Sequence, residues 1–176
     1  YEICACLVGS EMCIRDSDII HALELGADGV QIASRFVATK ECDASDEYKQ
    51  AYLDAKEDDV KIIKSPVGMP GRAIRNDFIK RVEKEKQPVD KCYNCMKKCN
   101  PNEVPYCITK ALVDAVNGDI NNGLIFCGAN VGRINEMTTV HELMKELVLP
   151  TDKKIQDENE THDIQNVYSQ RDKMIS

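Results

Sequence analysis

The stretch "DIIHALELGADGVQIASRF", beginning at Asp18, most constrains what this chain can fold into. Ile19, Ile20, Ala22 and Leu23 form one helical face, and Gly26 sits where a glycine ends a helix in the left-handed region. Val30 and Ile32 then alternate around Gln31 as a short strand would. A helix of about two turns, a glycine stop and a strand make the αβ half of a βαβ repeat. Such a half-unit demands neighbouring strands to pair with.

The rest of the chain supplies more helices than strands. "SDEYKQAYLDAKEDD" predicts a helix with Ser45 as N-cap and Tyr48, Ala51 and Tyr52 as its buried stripe. "VKIIKS" is a strand candidate. "SPVGMPGR" reads as a loop because of its two prolines and two glycines. "AIRNDFIKRVEKEK" predicts a helix with Ile74, Phe78 and Val82 spaced by four. In "PYCITKALVDAVNGD", Pro105 is expected at the first helical position, with Asn117 and Gly118 as the stop. "GLIFCGAN" is a short apolar run between glycines. "TVHELMKEL" opens on a capping box, Thr139 to Glu142. From residue 149 onward the chain is polar without apolar periodicity and reads as a disordered tail.

No run of about 18 apolar residues predicts a membrane helix, and no signal peptide is legible, so a cytoplasmic location is expected. The net charge of −7 argues against sequence-independent binding of nucleic acid. It does not oppose a phosphate-bearing cofactor, which backbone N–H groups can hold. Nine cysteines without a signal peptide argue against a secreted disulfide framework. Four of them, Cys92, Cys95, Cys99 and Cys107, give C-x2-C-x3-C-x7-C, three thiols within eight residues and a fourth near the start of a helix. Four thiolates suit tetrahedral zinc or a 4Fe–4S cluster. The spacing is not the paired C-x2-C of zinc knuckles, and unliganded, partly buried thiols are the plain alternative. Cys127 reads as core, and none of His21, His141 and His162 looks catalytic.

The segment "HALELGADGVQIASRFVATKE" resembles the end of the flavin barrel in the nitronate monooxygenase family, which includes FMN-dependent enoyl-ACP reductases. "GMPGRAIRN" and "PYCITKALVDAVNGDINNGLIFCGAN" are similar to segments that follow it in that family, so the resemblance covers roughly residues 18 to 147. It implies an α/β fold: the C-terminal portion of a (β/α)8 TIM barrel, its last helix and strand, then a mainly helical, cysteine-containing extension. The barrel would be incomplete, since such barrels need about 250 residues. The implied organisation is 18–90 as the end of the barrel, 91–148 as the cysteine-cluster extension and 149–176 as tail.

The resemblance implies FMN as cofactor and a small-molecule substrate. The implied activity is oxidation of alkyl nitronates with oxygen, with an NAD(P)H-dependent flavin or enoyl reductase as the alternative. A cysteine-ligated structural or interaction module is the alternative of another class. Gln31, Ala33 and Ser34 are the implied cofactor residues: Gln31 faces the flavin, and the small Ala33 and Ser34 admit phosphate. The family's Gly-Thr is Ala-Ser here, and the Ala33 methyl restricts backbone approach. The residues alone fit equally a buried strand with small side chains for packing. Arg72 and Arg75 are candidates for an anionic group. The catalytic histidine is expected on earlier strands. The cysteine loop resembles that of flavin-dependent dienoyl-CoA reductases, which makes an iron–sulfur centre the first expectation there and zinc the second. Residues 1–17, "YEICACLVGSEMCIRDS", resemble a translated sequencing adapter and are expected to be foreign to the fold.

Overall fold

The computed structural model describes residues 13–27, 29–97 and 99–148. Residues 1–12 of the adapter-like stretch 1–17, and the polar tail 149–176, lie outside the described residues. Helix α1 (Asp16–Glu24) is followed by one helical turn, α2 (Ser34–Val37), and by α3 (Asp46–Asp54). Strands β1 (Val60–Lys64) and β2 (Pro70–Ile74) form an antiparallel hairpin, Val60 opposite Ile74 and Lys64 opposite Pro70. Helices α4 (Asp77–Lys84) and α5 (Ile108–Val116) come next, and α6 spans 140–148. No described helix is long and apolar enough to cross a membrane.

Local chemistry explains most of these boundaries. Gly26 and Gly118 adopt φ of 90° and 102° after α1 and α5, conformations that a side chain would strain. Ser45 Oγ accepts the Tyr48 N–H at the start of α3. The capping box of α6 is reciprocal: Thr139 Oγ1 accepts the Glu142 N–H, and the Glu142 carboxylate accepts the Thr139 N–H. Glu41 adds a second carboxylate there, accepting the Val140 N–H at 3.0 Å.

Three expectations are corrected. Residues 29–33 form no strand, because a barrel strand exists through its ladder and no described strand lies beside it. "PGRAI" is strand rather than loop and helix start. Pro70 opens the strand, where its missing N–H costs little, and Ile74 N–H donates to the Ile125 carbonyl. Helix α4 therefore begins after Asn76, whose side chain caps the Ile79 N–H at 3.0 Å. Helix α5 begins at Ile108 with Cys107 as N-cap, not at Pro105. Tyr106 is instead driven into the core, 1% exposed and edge-on to Phe78 at 5.2 Å. Its hydroxyl lacks a partner among the described residues, and burial pushes its pKa up to about 12.

The core has three apolar clusters. Tyr52, Ile74, Ile125, Val131 and Ile134 lead the first. Phe78, Ile79, Tyr106 and Leu124 lead the second, and Ile19, Ala22, Leu143 and Leu147 the third. Ile14, inside the adapter-like stretch, is fully buried in the first cluster.

Asp18 pins the start of α1. Its Oδ2 accepts the Ile14 and Arg15 N–H groups at 2.9 and 3.0 Å and pairs with Arg133 at 3.0 Å. Burial alone would raise its pKa, but those N–H groups and Arg133 together hold it below the ordinary 3.8. A carboxyl lowered by folding contributes stability that is complete above its unfolded value and is lost as pH falls through the folded one. Asp18→Asn should thus be less stable than wild type near neutrality, and the difference should close below pH 3.8. Urea denaturation across pH checks this; a difference that persists at acid pH rules it out.

Candidate functional site

Three segments distant in sequence meet at one cavity of about 400 Å³. Ala33, Ser34 and Val37 come from the turn at α2, Gly71 and Arg72 from β2, and Phe126, Cys127 and Gly128 from the apolar run after α5. Hydrogen bonding of the run to β2 makes the meeting possible. Cys127 N–H donates to the Arg72 carbonyl at 3.0 Å, and Ala73 and Phe126 form an antiparallel bridge. On the other side, Gly128 N–H donates to Ser34 Oγ at 3.0 Å in a buried contact. The Ser34 hydroxyl thereby ties the α2 turn to the far wall.

Small residues set the shape of the cavity. A Cβ on Gly71 would lie 2.5 Å from the Phe126 ring, so glycine lets the ring pack against β2. Tyr52, 3% exposed, closes the floor, and its hydroxyl donates to the Phe126 carbonyl. The mouth carries Arg72 and Ile62, cross-strand partners in the hairpin and both exposed. Among the described residues Arg72 has no acidic partner, which leaves its guanidinium available to an anion. Arg75 is exposed and lies outside the lining.

Of the residues singled out in the sequence, Ala33 and Ser34 line the cavity. Gln31 does not, although it is exposed like Ala33. Sequence reasoning missed Gly71 and Phe126–Gly128 as parts of this wall. Their only signal was a short apolar run bounded by glycines. Cys127, expected as plain core, packs against the first cluster and also lines the cavity.

The second constellation is the cysteine loop. Cys92, Cys95, Cys99 and Cys107 are all free thiols, and all four line one small cavity of about 30 Å³. Desolvation pushes the Cys99 thiol up, and the neighbouring Cys92, Cys95 and Cys107 add to the shift. As placed, no three His, Cys, Asp or Glu side chains among the described residues stand in ligating positions for a metal.

The chain is similar to several known proteins. The profile "NMO: Nitronate monooxygenase" matches residues 13–150. A probable nitronate monooxygenase of Staphylococcus saprophyticus is 36% identical over 64 residues, 36% of this chain and 18% of that protein. One from Staphylococcus aureus (strain Newman) is 33% identical over 64 residues, with the same shares. FabK from Thermotoga maritima superposes with a TM-score of 0.63 at 23% identity, covering 85% of this chain and 45% of FabK. A point mutant of that FabK gives 0.61 at 21%, covering 85% and 42%. The chain therefore spans under half the length of these solved structures, and the aligned stretch under a fifth of the curated relatives. The likeness to FabK is one of fold.

Proposed function

Because the chain belongs to the nitronate monooxygenase family, we propose that its 400 Å³ cavity holds the phosphate end of FMN in an oxidoreductase acting on alkyl nitronates with oxygen. The observation that carries this reading is the convergence of Ala33, Ser34, Gly71, Arg72 and Gly128 on one cavity. The residues fit a phosphate: small side chains admit it to the backbone, and an unpaired guanidinium stands at the mouth. Bound FMN would supply the two-electron acceptor for the nitronate and return those electrons to oxygen. Arg72 would neutralise the phosphate charge, and the Ser34–Gly128 bond would hold the two walls at fixed spacing. Gln31, exposed two residues before Ala33, would stand toward the ring. An NAD(P)H-dependent reductase of the same family is the alternative; the two differ in whether NAD(P)H or the nitronate reduces the flavin.

Among the described residues the cavity walls would meet a phosphate on two sides but would not enclose an isoalloxazine ring. The 176-residue chain is accordingly expected to bind FMN weakly, on the order of 1 mM, about 4 kcal/mol. Titration followed by backbone amide NMR should move Ala33, Cys127 and Gly128, and Arg72→Glu should abolish those shifts. Tight stoichiometric binding would refute the weak-binding expectation. Shifts confined to other residues, or unchanged by Arg72→Glu, would refute the phosphate site.

A further inference from the structure

We propose that Cys92, Cys95, Cys99 and Cys107 bind one divalent metal ion of the zinc class through four thiolates. The four side chains come from an irregular loop and a helix start, yet they line a single cavity and none is in a disulfide. The turn between the first pair is built for a ligating sulfur. Asn94 is the one non-glycine residue with positive φ among those described, at 50°, and its N–H donates to Cys92 Sγ at 3.4 Å. Backbone N–H groups aimed at sulfur disperse the charge of a metal-bound thiolate. Cys107 is the N-cap of nine-residue α5, so the fourth thiol is carried by a regular element beside the loop.

Among the described residues the loop has few other fixed contacts. Between Val82 and Tyr106 no described residue belongs to the three apolar clusters. The segment is tied down by little more than Gln87 N–H donating to the Pro105 carbonyl and Lys86 donating to that of Asn102. An ion bridging Cys92, Cys95 and Cys99 to Cys107 would close this loop onto α5 and remove much of its freedom. The thiols as placed are not in ligating positions, so binding and loop closure occur together, and the thiol protons pass to solvent. Four thiolates complete a tetrahedral zinc site without any inorganic sulfide.

The test is metal analysis of the full chain, purified under reducing conditions after growth with zinc and, separately, with iron. One equivalent of zinc per chain is expected. Cys99→Ser should lose it and Cys42→Ser should keep it, since Cys42 lies outside the cavity. Zinc should also raise the melting temperature of the wild type and suppress proteolysis between residues 85 and 107. Metal-free protein after reconstitution with zinc overturns the proposal, as does equal zinc in wild type and Cys99→Ser. Iron with stoichiometric acid-labile sulfide overturns the single ion. If Cys99→Ser does not fold, cobalt(II) titration of the wild type decides. Charge-transfer absorption of a tetrathiolate supports the site, and its absence overturns it.

Discussion

Asn76→Ala is expected to lower the stability of the protein by about 3 kcal/mol, roughly 10 °C in Tm. The side chain does three things at once. Its Oδ1 caps α4 by accepting the Ile79 N–H, and its Nδ2 donates to the Ile120 and Gly123 carbonyls at 2.6 and 2.8 Å. Losing the cap costs about 1 kcal/mol. Stranding two half-buried carbonyls accounts for the remainder, at about 1 kcal/mol each. Asn76→Ser retains an oxygen for the cap but does not reach the carbonyls, so it should recover only about 1 kcal/mol. Urea denaturation of the two variants separates these contributions; equal losses would remove the cap from the account.

Gly123→Ala should be as damaging, for a steric reason. A Cβ at this position would lie 2.4 Å from the backbone N and Cα of Ala115 in α5, where no flexible side chain can yield. The neighbouring Leu124 N–H donates to the Ala111 carbonyl at 2.8 Å, so the run after α5 is held directly against that helix. Overpacking of this kind costs about 1–3 kcal/mol, and contact with backbone places this site at the upper end. Displacement of 124–128 would also open the wall of the cavity proposed to hold phosphate. Gly123→Ala should therefore lose the FMN-induced amide shifts at Cys127 and Gly128 as well as about 3 kcal/mol. Thermal denaturation with the same NMR titration checks both; a variant as stable as wild type would refute the close contact.

Several features were legible before any coordinates. The caps at Ser45 and Thr139 and the glycine stops at Gly26 and Gly118 depend on chemistry within four residues, so local sequence was enough to place them. The family was legible as well, because "GADGVQIASRF" and the segments after it carry many residues in fixed order, and the family profile matches residues 13–150. Boundaries set by distant partners were not. "PGRAI" has the composition of a loop and becomes a strand because it pairs with "VKIIK" and, through Ile74, with Ile125. Pro105 has the residue type of a helix start. It is not one, because Tyr106 is drawn into the core against Phe78.

The candidate site divides in the same way. Ala33 and Ser34 could be named from their small size at the end of a barrel-like segment. Gly71, Phe126 and Gly128 could not, because no local pattern reports that a hairpin and a run some fifty residues later share a wall. The four cysteines were expected from their spacing to converge, and all four line one cavity. By itself the sequence determined the caps at Ser45 and Thr139, the stops at Gly26 and Gly118, the residue types that could meet a phosphate or a metal, and the family. Only the tertiary structure decided where strands exist, which glycines have no room for a side chain, and which thiols and small residues face one another. Caps are closed by hydrogen bonds a few residues apart, whereas ladders, walls and ligand sets are closed by contacts between segments that only folding brings together.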